Sequence, residues 1–244
     1  MKLFNEDCLE VMKQLPDKSV DCIVSDPPFG VNYKNKIYND GHDYILNNMN
    51  QWLSEMFRVL KDDGFCFLFV GVKTIHEWIN ASIESGFNYK NIIATSTYHS
   101  DKLRIKNNFN FQLQPIIVLS KGNGREFNKV DFIPTSASWL KDKRNPNPKP
   151  YTYDYPDFIK PEWSFSTIKR KKGERLHPNE KNVDLIKFLI EVTTNENDVI
   201  LDPFMGCGST GIACKKCNRD FIGIELDKHY FDLAEKRINE INKQ

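Results

Sequence analysis

Val199-Ile200-Leu201-Asp202-Pro203-Phe204-Met205-Gly206-Cys207-Gly208-Ser209-Thr210 reads as a short buried strand, a glycine-bearing turn and the start of a helix. Glycine permits a tight turn and lets a ligand approach the backbone closely, and the helix N-terminus that follows favours hydrogen-bond acceptors. Gly206, Gly208 and Gly211 have the spacing G-x-G-x-x-G, although Asp202-Pro203-Phe204 stands between the strand and the first glycine. Glu225 closes the next strand, Phe221 to Ile224, 23 residues after Asp202. In α/β nucleotide sites an acid about 20 residues on binds ribose hydroxyls. A purely structural strand–helix turn accounts for the glycines but leaves both acids without a reason.

Outward from this turn, short apolar runs alternate with segments of helical period. Strands are expected at Val20–Ser25, Phe65–Val70, Ile92–Thr97, Pro115–Leu119 and Val199–Leu201. Helices are expected at Met49–Leu60, Thr74–Ser85, Val183–Val192, Ser209–Lys216 and Lys228–Ile241, with Gly64 and Gly86 as stops for the first two. Such alternation predicts a doubly wound, mostly parallel α/β sheet, and there is no internal repeat.

The 244 residues are 40% hydrophobic and 27% charged, the balance of a soluble globular chain. The longest strongly apolar run, Phe65 to Val70, is too short to span a bilayer, and the N-terminus turns acidic at Glu6-Asp7 before a signal-peptide core can form. Six cysteines do not make a disulfide framework at this length, which points to a reducing cytoplasm and no membrane association. The net charge of +1 conceals an asymmetry: from Lys121 to Leu176, 13 Lys or Arg stand against 7 Asp or Glu. That segment also holds six of the 12 prolines and the aromatics Trp139, Tyr151, Tyr153, Tyr155, Trp163 and Phe165. Positive charge interleaved with aromatic rings suits a polyanion with unstacked bases; a solvated insertion loop is the plain alternative.

A second constellation, Asp26-Pro27-Pro28-Phe29, lies at the carboxyl end of the run Val20–Ser25. Ligands of open α/β sheets bind at that edge. Two prolines stiffen the turn and remove two N–H donors, so it offers carboxylate and carbonyl acceptors beside an aromatic face. Two acceptors beside a ring suit an amino group on a planar base.

Asp26-Pro27-Pro28-Phe29, Asp202 to Thr210 and His177-Pro178-Asn179-Glu180-Lys181 together resemble the S-adenosylmethionine-dependent DNA amino-methyltransferases. Their order resembles the permuted β group, with the catalytic turn first, a basic recognition segment next and the cofactor turn last. The resemblance implies a Rossmann-like, circularly permuted α/β fold: a catalytic half at 1–121, a recognition insertion at 122–176 and a cofactor-binding half at 177–244. It implies Asp26, Pro27, Pro28 and Phe29 as the catalytic turn, with Asp26 and the Pro27 carbonyl accepting the amino hydrogens and Phe29 stacking on a flipped base. For the cofactor, S-adenosyl-L-methionine, it implies Asp7, Cys8, Asp26, His177, Pro178, Asn179, Lys181, Asp202, Pro203, Phe204, Gly206, Gly208, Ser209 and Glu225. Asp7 serves equally well as a helix N-cap, and Lys181 as a solvated lysine. Double-stranded DNA is the implied partner, adenine N6 the implied target and cytosine N4 the alternative; a homodimer and a cognate restriction enzyme are further implied partners. Phe29 replaces the commoner Tyr, and Asn182 stands where Pro often follows the lysine.

Other features compete for attention. Cys214-Lys215-Lys216-Cys217 has C-x-x-C spacing without a second ligand pair, and the histidines show no metal spacing, so no metal is expected. The run Lys169 to Lys172 and the segment Tyr98 to Phe111 suit a phosphate backbone or plain solvent. A nicotinamide-dependent oxidoreductase would use the glycine turn and Glu225 but leave Asp26 to Phe29 idle. A silent DNA-binding module would use only the basic segment.

Overall fold

The computed structural model describes residues 1–29, 41–96, 113–132, 151–152 and 180–241. The run at 20–25 forms β2 (Val20–Ser25), in which every residue is buried, the pattern of a strand covered on both faces. Beside it lie β3 (Leu60–Phe69) and β8 (Val199–Asp202). The seven-stranded sheet is completed by β1 (Lys2–Phe4), β4 (Asn88–Ser96), β5 (Leu113–Ser120) and β9 (Asp220–Ile224), in the order β1-β9-β8-β2-β3-β5-β4. Only β5 runs antiparallel to its neighbours, so the expectation of a mostly parallel sheet holds. A two-residue ribbon, β6 (Asp131–Phe132) with β7 (Tyr151–Thr152), stands apart.

Alternation along β3 divides the core. Cys66, Leu68 and Val70 join one apolar cluster with Met56 of α2 (His42–Val59), Trp78 of α3 (Ile75–Glu84) and Met12 of α1 (Cys8–Gln14). Phe65, Phe67 and Phe69 join the other with Leu189 of α4 (Val183–Thr193), Ile212 of α5 (Ser209–Lys216) and Ile238 of α6 (Lys228–Glu240). Each side chain so buried contributes roughly 1.5–3 kcal/mol, and truncating the fully buried Trp78 to Ala costs about 3–5 kcal/mol.

Several boundaries differ from expectation: β3 begins at Leu60 rather than Phe65, and β4 at Asn88 rather than Ile92. α2 begins at His42, because Ile45 extends its buried stripe toward the N-terminus. It ends at Val59, and Gly64 lies inside β3 rather than at a helix stop. A Cβ on Gly64 would stand 2.9 Å from the Asp21 carbonyl oxygen, so this glycine allows β3 to close on β2. Gly86 does follow a helix, at φ +102°, and β1 was not visible in the apolar pattern.

The chain leaves β8 through α5 toward β9 on one side, and leaves β2 through α2 toward β3 on the other. The strand order therefore reverses between β8 and β2, and the crevice beyond their carboxyl ends is where open α/β sheets bind ligands. Segments 1–121 and 177–244 share this sheet through the pairs β1–β9 and β2–β8. Most of the basic segment, at 133–150 and 153–176, lies outside the described residues. Among the described residues no helix is long and apolar enough to cross a membrane.

Candidate active site

Asp202 ends β8 with a buried carboxylate. Its Oδ1 accepts from Ser25 Oγ at 3.2 Å and from the Phe204 N–H at 3.1 Å, and its Oδ2 accepts from Thr210 Oγ1 at 2.6 Å. These bonds fasten the end of β2, the turn and the first residues of α5 to one side chain. Burial pushes the Asp202 carboxyl up to about 7; the donors from Thr210, Phe204 and Ser25 oppose that rise, and the neighbouring Asp26 adds to it.

The turn itself carries Gly206 at φ +51° and Gly208 at φ +81°, both in the left-handed region. The G-x-G-x-x-G spacing has a packing origin that the sequence reading did not supply. A Cβ on Gly208 would stand 3.0 Å from Ala234 Cβ, and one on Gly211 would stand 2.4 Å from Ile238 Cδ1, both on α6. At these two positions the missing side chain makes room for a helix. Glu225, just past β9, takes the Gly206 N–H on Oε2 at 3.0 Å and the Asp227 N–H on Oε1 at 2.8 Å. A carboxylate has about four acceptor sites, so capacity for ligand hydroxyls remains. Asn5 steadies this corner by donating Nδ2 to the Glu225 carbonyl at 2.8 Å. Phe204 presents its ring edge to Trp52 at 5.1 Å. Asp7 caps α1 by accepting from the Leu9 N–H at 2.8 Å, and Cys8 is buried with its thiol pushed up to about 12, chiefly by burial.

Across the switch point, Asp26 follows β2 directly. Its Oδ2 pairs with Lys181 Nζ at 2.9 Å, and its Oδ1 is buried with no hydrogen-bond partner among the described residues. Burial raises the Asp26 carboxyl to about 6, and Lys181 pulls the other way by charge and hydrogen bond. Lys181 Nζ also donates to Gln114 Oε1 at 3.3 Å and lies 5.1 Å from the centre of the Phe29 ring, within cation–π range. Gln114 in turn donates Nε2 to the Val70 carbonyl at 3.0 Å. Phe29 is held at its carbonyl by Thr74 Oγ1 at 3.0 Å. A Cβ on Gly71 would be 3.4 Å from Phe29 Cβ, so the end of β3 lies directly against the Asp-Pro-Pro-Phe turn.

Asn182, the departure from proline, is the N-cap of α4 and accepts from the Asp184 and Leu185 N–H groups. His177, Pro178 and Asn179 lie outside the described residues, as do Lys169–Lys172 and Tyr98–Phe111. The structure thus brings together Asp26, Phe29, Lys181 and Asp202 across the β2–β8 junction, with Phe204, Gly206 and Glu225 along the turn toward β9. Gln114, Thr74, Trp52 and Arg237 were not anticipated. Gln114 had a faint signal, a polar residue at the start of an apolar strand, but its place at this edge depends on β5 running antiparallel. Cys214 and Cys217 are buried in and beside α5, with the Cys217 thiol bonded to the Ala213 carbonyl.

A family model described as DNA methylase matches residues 20–236. The DNA adenine methyltransferase YhdJ of Escherichia coli (strain K12) is 28% identical over 246 residues, covering 97% of this chain and 82% of that protein. The crystal structure of the M1.HpyAVI–SAM complex matches with a TM-score of 0.66 and 26% identity over 98% of each chain. The cytosine-N4-specific PvuII DNA methyltransferase shares the fold, with a TM-score of 0.69, at 16% identity over 99% of this chain and 88% of that one. S-Adenosylmethionine is the cofactor, and the groups present are compatible with it: a carboxylate at Glu225 with acceptor capacity to spare and an ammonium at Lys181. With the acid–proline turn and the cofactor turn meeting at one sheet reversal, and the family match running through both, the chain belongs to the N6/N4 DNA methylase family and is an S-adenosylmethionine-dependent DNA amino-methyltransferase.

Proposed function

We propose that this enzyme methylates the N6 amino group of adenine in double-stranded DNA. The observation that carries the reading is the Asp26 carboxylate: at the sheet reversal its Oδ1 is buried without a hydrogen-bond partner among the described residues, while the lysine on its Oδ2 also lies over the Phe29 ring. A buried acceptor left unpaired is costly, and an amino hydrogen satisfies it. Asp26 takes one hydrogen of the amino group and the Pro27 carbonyl the other, which turns the nitrogen lone pair away from the turn. Phe29 stacks on the base, which leaves the duplex because its amino group is unreachable within the stack. Bound S-adenosylmethionine supplies an electrophilic methyl group. The protein's part is to hold the nitrogen in line and to strengthen its hydrogen bonds as that nitrogen becomes positive. An Asp rather than a Ser at position 26 supports adenine over cytosine, as does the likeness to an adenine methyltransferase.

For the cofactor we assign Glu225 to the ribose hydroxyls and Lys181 to the carboxylate. Asp202, Pro203, Phe204, Gly206, Gly208 and Ser209 form the turn around the methionine part. Asp7 and Cys8, at the head of α1, border the adenine, and His177, Pro178 and Asn179 complete the loop before Lys181. We further assign target recognition to residues 122–176, on their excess of positive charge. The remaining assignments are a catalytic half at 1–121, a cofactor half at 177–244 and a cytoplasmic location.

The test is mass spectrometry of nucleosides from unmethylated DNA incubated with the enzyme and methyl-deuterated S-adenosylmethionine. Labelled N6-methyladenine is the expected product. Labelled N4-methylcytosine would refute the adenine assignment while keeping the amino-transfer chemistry.

A further inference from the structure

Arg237 lies on α6, one residue beyond the stretch matched by the family model. Its guanidinium makes two bonds in different directions. Nη2 meets Glu180 Oε1 at 2.5 Å, and Nη1 donates to the Cys207 carbonyl at 2.5 Å. The two side chains are 13% and 6% exposed, and charged groups so buried persist only when paired. The planar fork of arginine makes this double contact; the point charge of lysine reaches only one such partner well.

Cys207 belongs to the glycine turn, whereas Glu180 belongs to the loop that leads into α4. Arg237 therefore ties the turn to that loop. The residue after Glu180 is Lys181, whose ammonium reaches Asp26 Oδ2 at 2.9 Å and Gln114 Oε1 at 3.3 Å. A lysine side chain is long and flexible, so where its charge stands depends on how firmly its backbone is held. On one side that backbone is anchored by the Asn182 cap, and on the other by Glu180 and Arg237.

We propose that Arg237 is a positioning residue that, by clamping Glu180 to the glycine turn, fixes where Lys181 presents its charge to Asp26. A contiguous line of contacts then joins the cofactor turn to the catalytic acid: Cys207 carbonyl, Arg237, Glu180, Lys181, Asp26. The value of this clamp for catalysis rests on the assignment of Asp26 above, but the clamp itself does not. A bare stability role for the buried pair would hold α6 in place without touching the charge felt at Asp26.

Among the described residues the charged groups that face Asp26 are Lys181, from the loop before α4, and Asp202, from β8. Releasing Lys181 leaves burial, which disfavours the carboxylate. The experiment is carbon-13 NMR of the full chain labelled at the aspartate carboxyl carbon, without added cofactor, with the Asp26 signal assigned by its loss in Asp26→Asn. Parent, Arg237→Gln, Glu180→Gln and Arg237→Lys are titrated side by side. The Asp26 midpoint is expected to rise by about one pH unit in the two Gln variants, since an opposite charge within about 4–6 Å lowers a carboxylate pKa by about 1–3. Arg237→Lys is expected to recover part of that shift, and S-adenosylmethionine affinity by calorimetry to fall about tenfold in the Gln variants, a loss near 1.4 kcal/mol. Glu180→Gln preserves the side-chain shape, so it decides the matter if Arg237→Gln does not fold. An unmoved Asp26 midpoint in folded Glu180→Gln overturns the proposal, even if methylation is lost. A shifted midpoint with undiminished methylation supports the clamp and counts instead against Asp26 as the acid that holds the amino group.

Discussion

Replacing Asp26 with Asn removes a buried titrating group while keeping its shape, and the structure says how the stability should change with pH. Burial raises the folded-state carboxyl from 3.8 to about 6, a value that already contains the opposing pull of Lys181. The folded protein thus holds this proton more tightly than the unfolded chain does. The stabilisation is complete below about pH 4, declines as pH rises, and is gone above about pH 6. At about 1.4 kcal/mol per pH unit the span corresponds to about 3 kcal/mol. Asn does not titrate, so the stability of the variant relative to the parent should climb by about 3 kcal/mol between about pH 4 and pH 7. Ionised Asp26 also raises the neighbouring Asp202, and relieving that repulsion adds to the climb. The cost of the amide itself is a constant offset. Urea denaturation of both proteins without cofactor, at pH steps across this range, gives the difference curve, in which groups not coupled to Asp26 cancel. A flat or falling curve would refute the reasoning, because Asp26 would then be solvated or dominated by Lys181. The same titration gives the methyl-transfer rate an acid limb near pH 6, since the ionised carboxylate accepts an amino hydrogen far more strongly than the neutral acid does.

Three further outcomes follow from contacts in the site. Gly208→Ala forces a side chain into φ +81° and to 3.0 Å from Ala234; at about 1–2 kcal/mol for the backbone and about 1–3 for the overpacking, it should cost about 2–5 kcal/mol, read by urea denaturation. Glu225→Gln turns an amide NH2 toward one of two backbone N–H groups, so S-adenosylmethionine affinity by calorimetry should fall at least about tenfold, with a stability loss of about 1–3 kcal/mol. Asn182→Ala removes the cap of α4 and should lower stability by about 1 kcal/mol, measured by the thermal midpoint, because two N–H groups lose their acceptor.

Much of the sheet was legible because β2 and β3 carry apolar runs, Cys22–Val24 and Phe65–Phe69, and a run of that kind has one stable place, between two layers of helices. Asp26, Phe29, Asp202 and Glu225 were legible for a related reason: each stands at the carboxyl end of such a strand, where an acid or a ring has no packing purpose. What could not be read were features set by three-dimensional approach. Gly64 has the same appearance in sequence whether it ends a helix or admits a neighbouring strand, and the Asp21 carbonyl 2.9 Å from its missing Cβ decides for the strand. β1 is three residues long, and its pairing with β9 rather than any pattern of its own makes it a strand. Gly208 and Gly211 fit a ligand-binding spacing, yet the atoms they make room for belong to α6.

The two acids at the heart of the site are far apart in the chain and bound together through Ser25, whose hydroxyl donates to Asp202 Oδ1 at 3.2 Å. The register explains why they meet. Cys22 pairs with Ile200 and Ile23 with Leu201, so Asp202 ends its strand level with Val24, and Ser25 and Asp26 extend beyond it into the crevice. Asp202 is thereby covered and turned to holding the structure, while Asp26 reaches a position where a ligand can stand. Nothing in this geometry depends on which strand comes first in the chain. It requires only that β2 and β8 be neighbours and that their connections leave in opposite directions, which α2 and α5 accomplish. A permuted order of motifs therefore preserves the chemistry, and it leaves the segment between the catalytic and cofactor turns free to differ in length and charge. In this chain that segment carries the positive excess, so its charge can vary without disturbing the Asp26 turn or the carboxylate of Asp202 that fastens it.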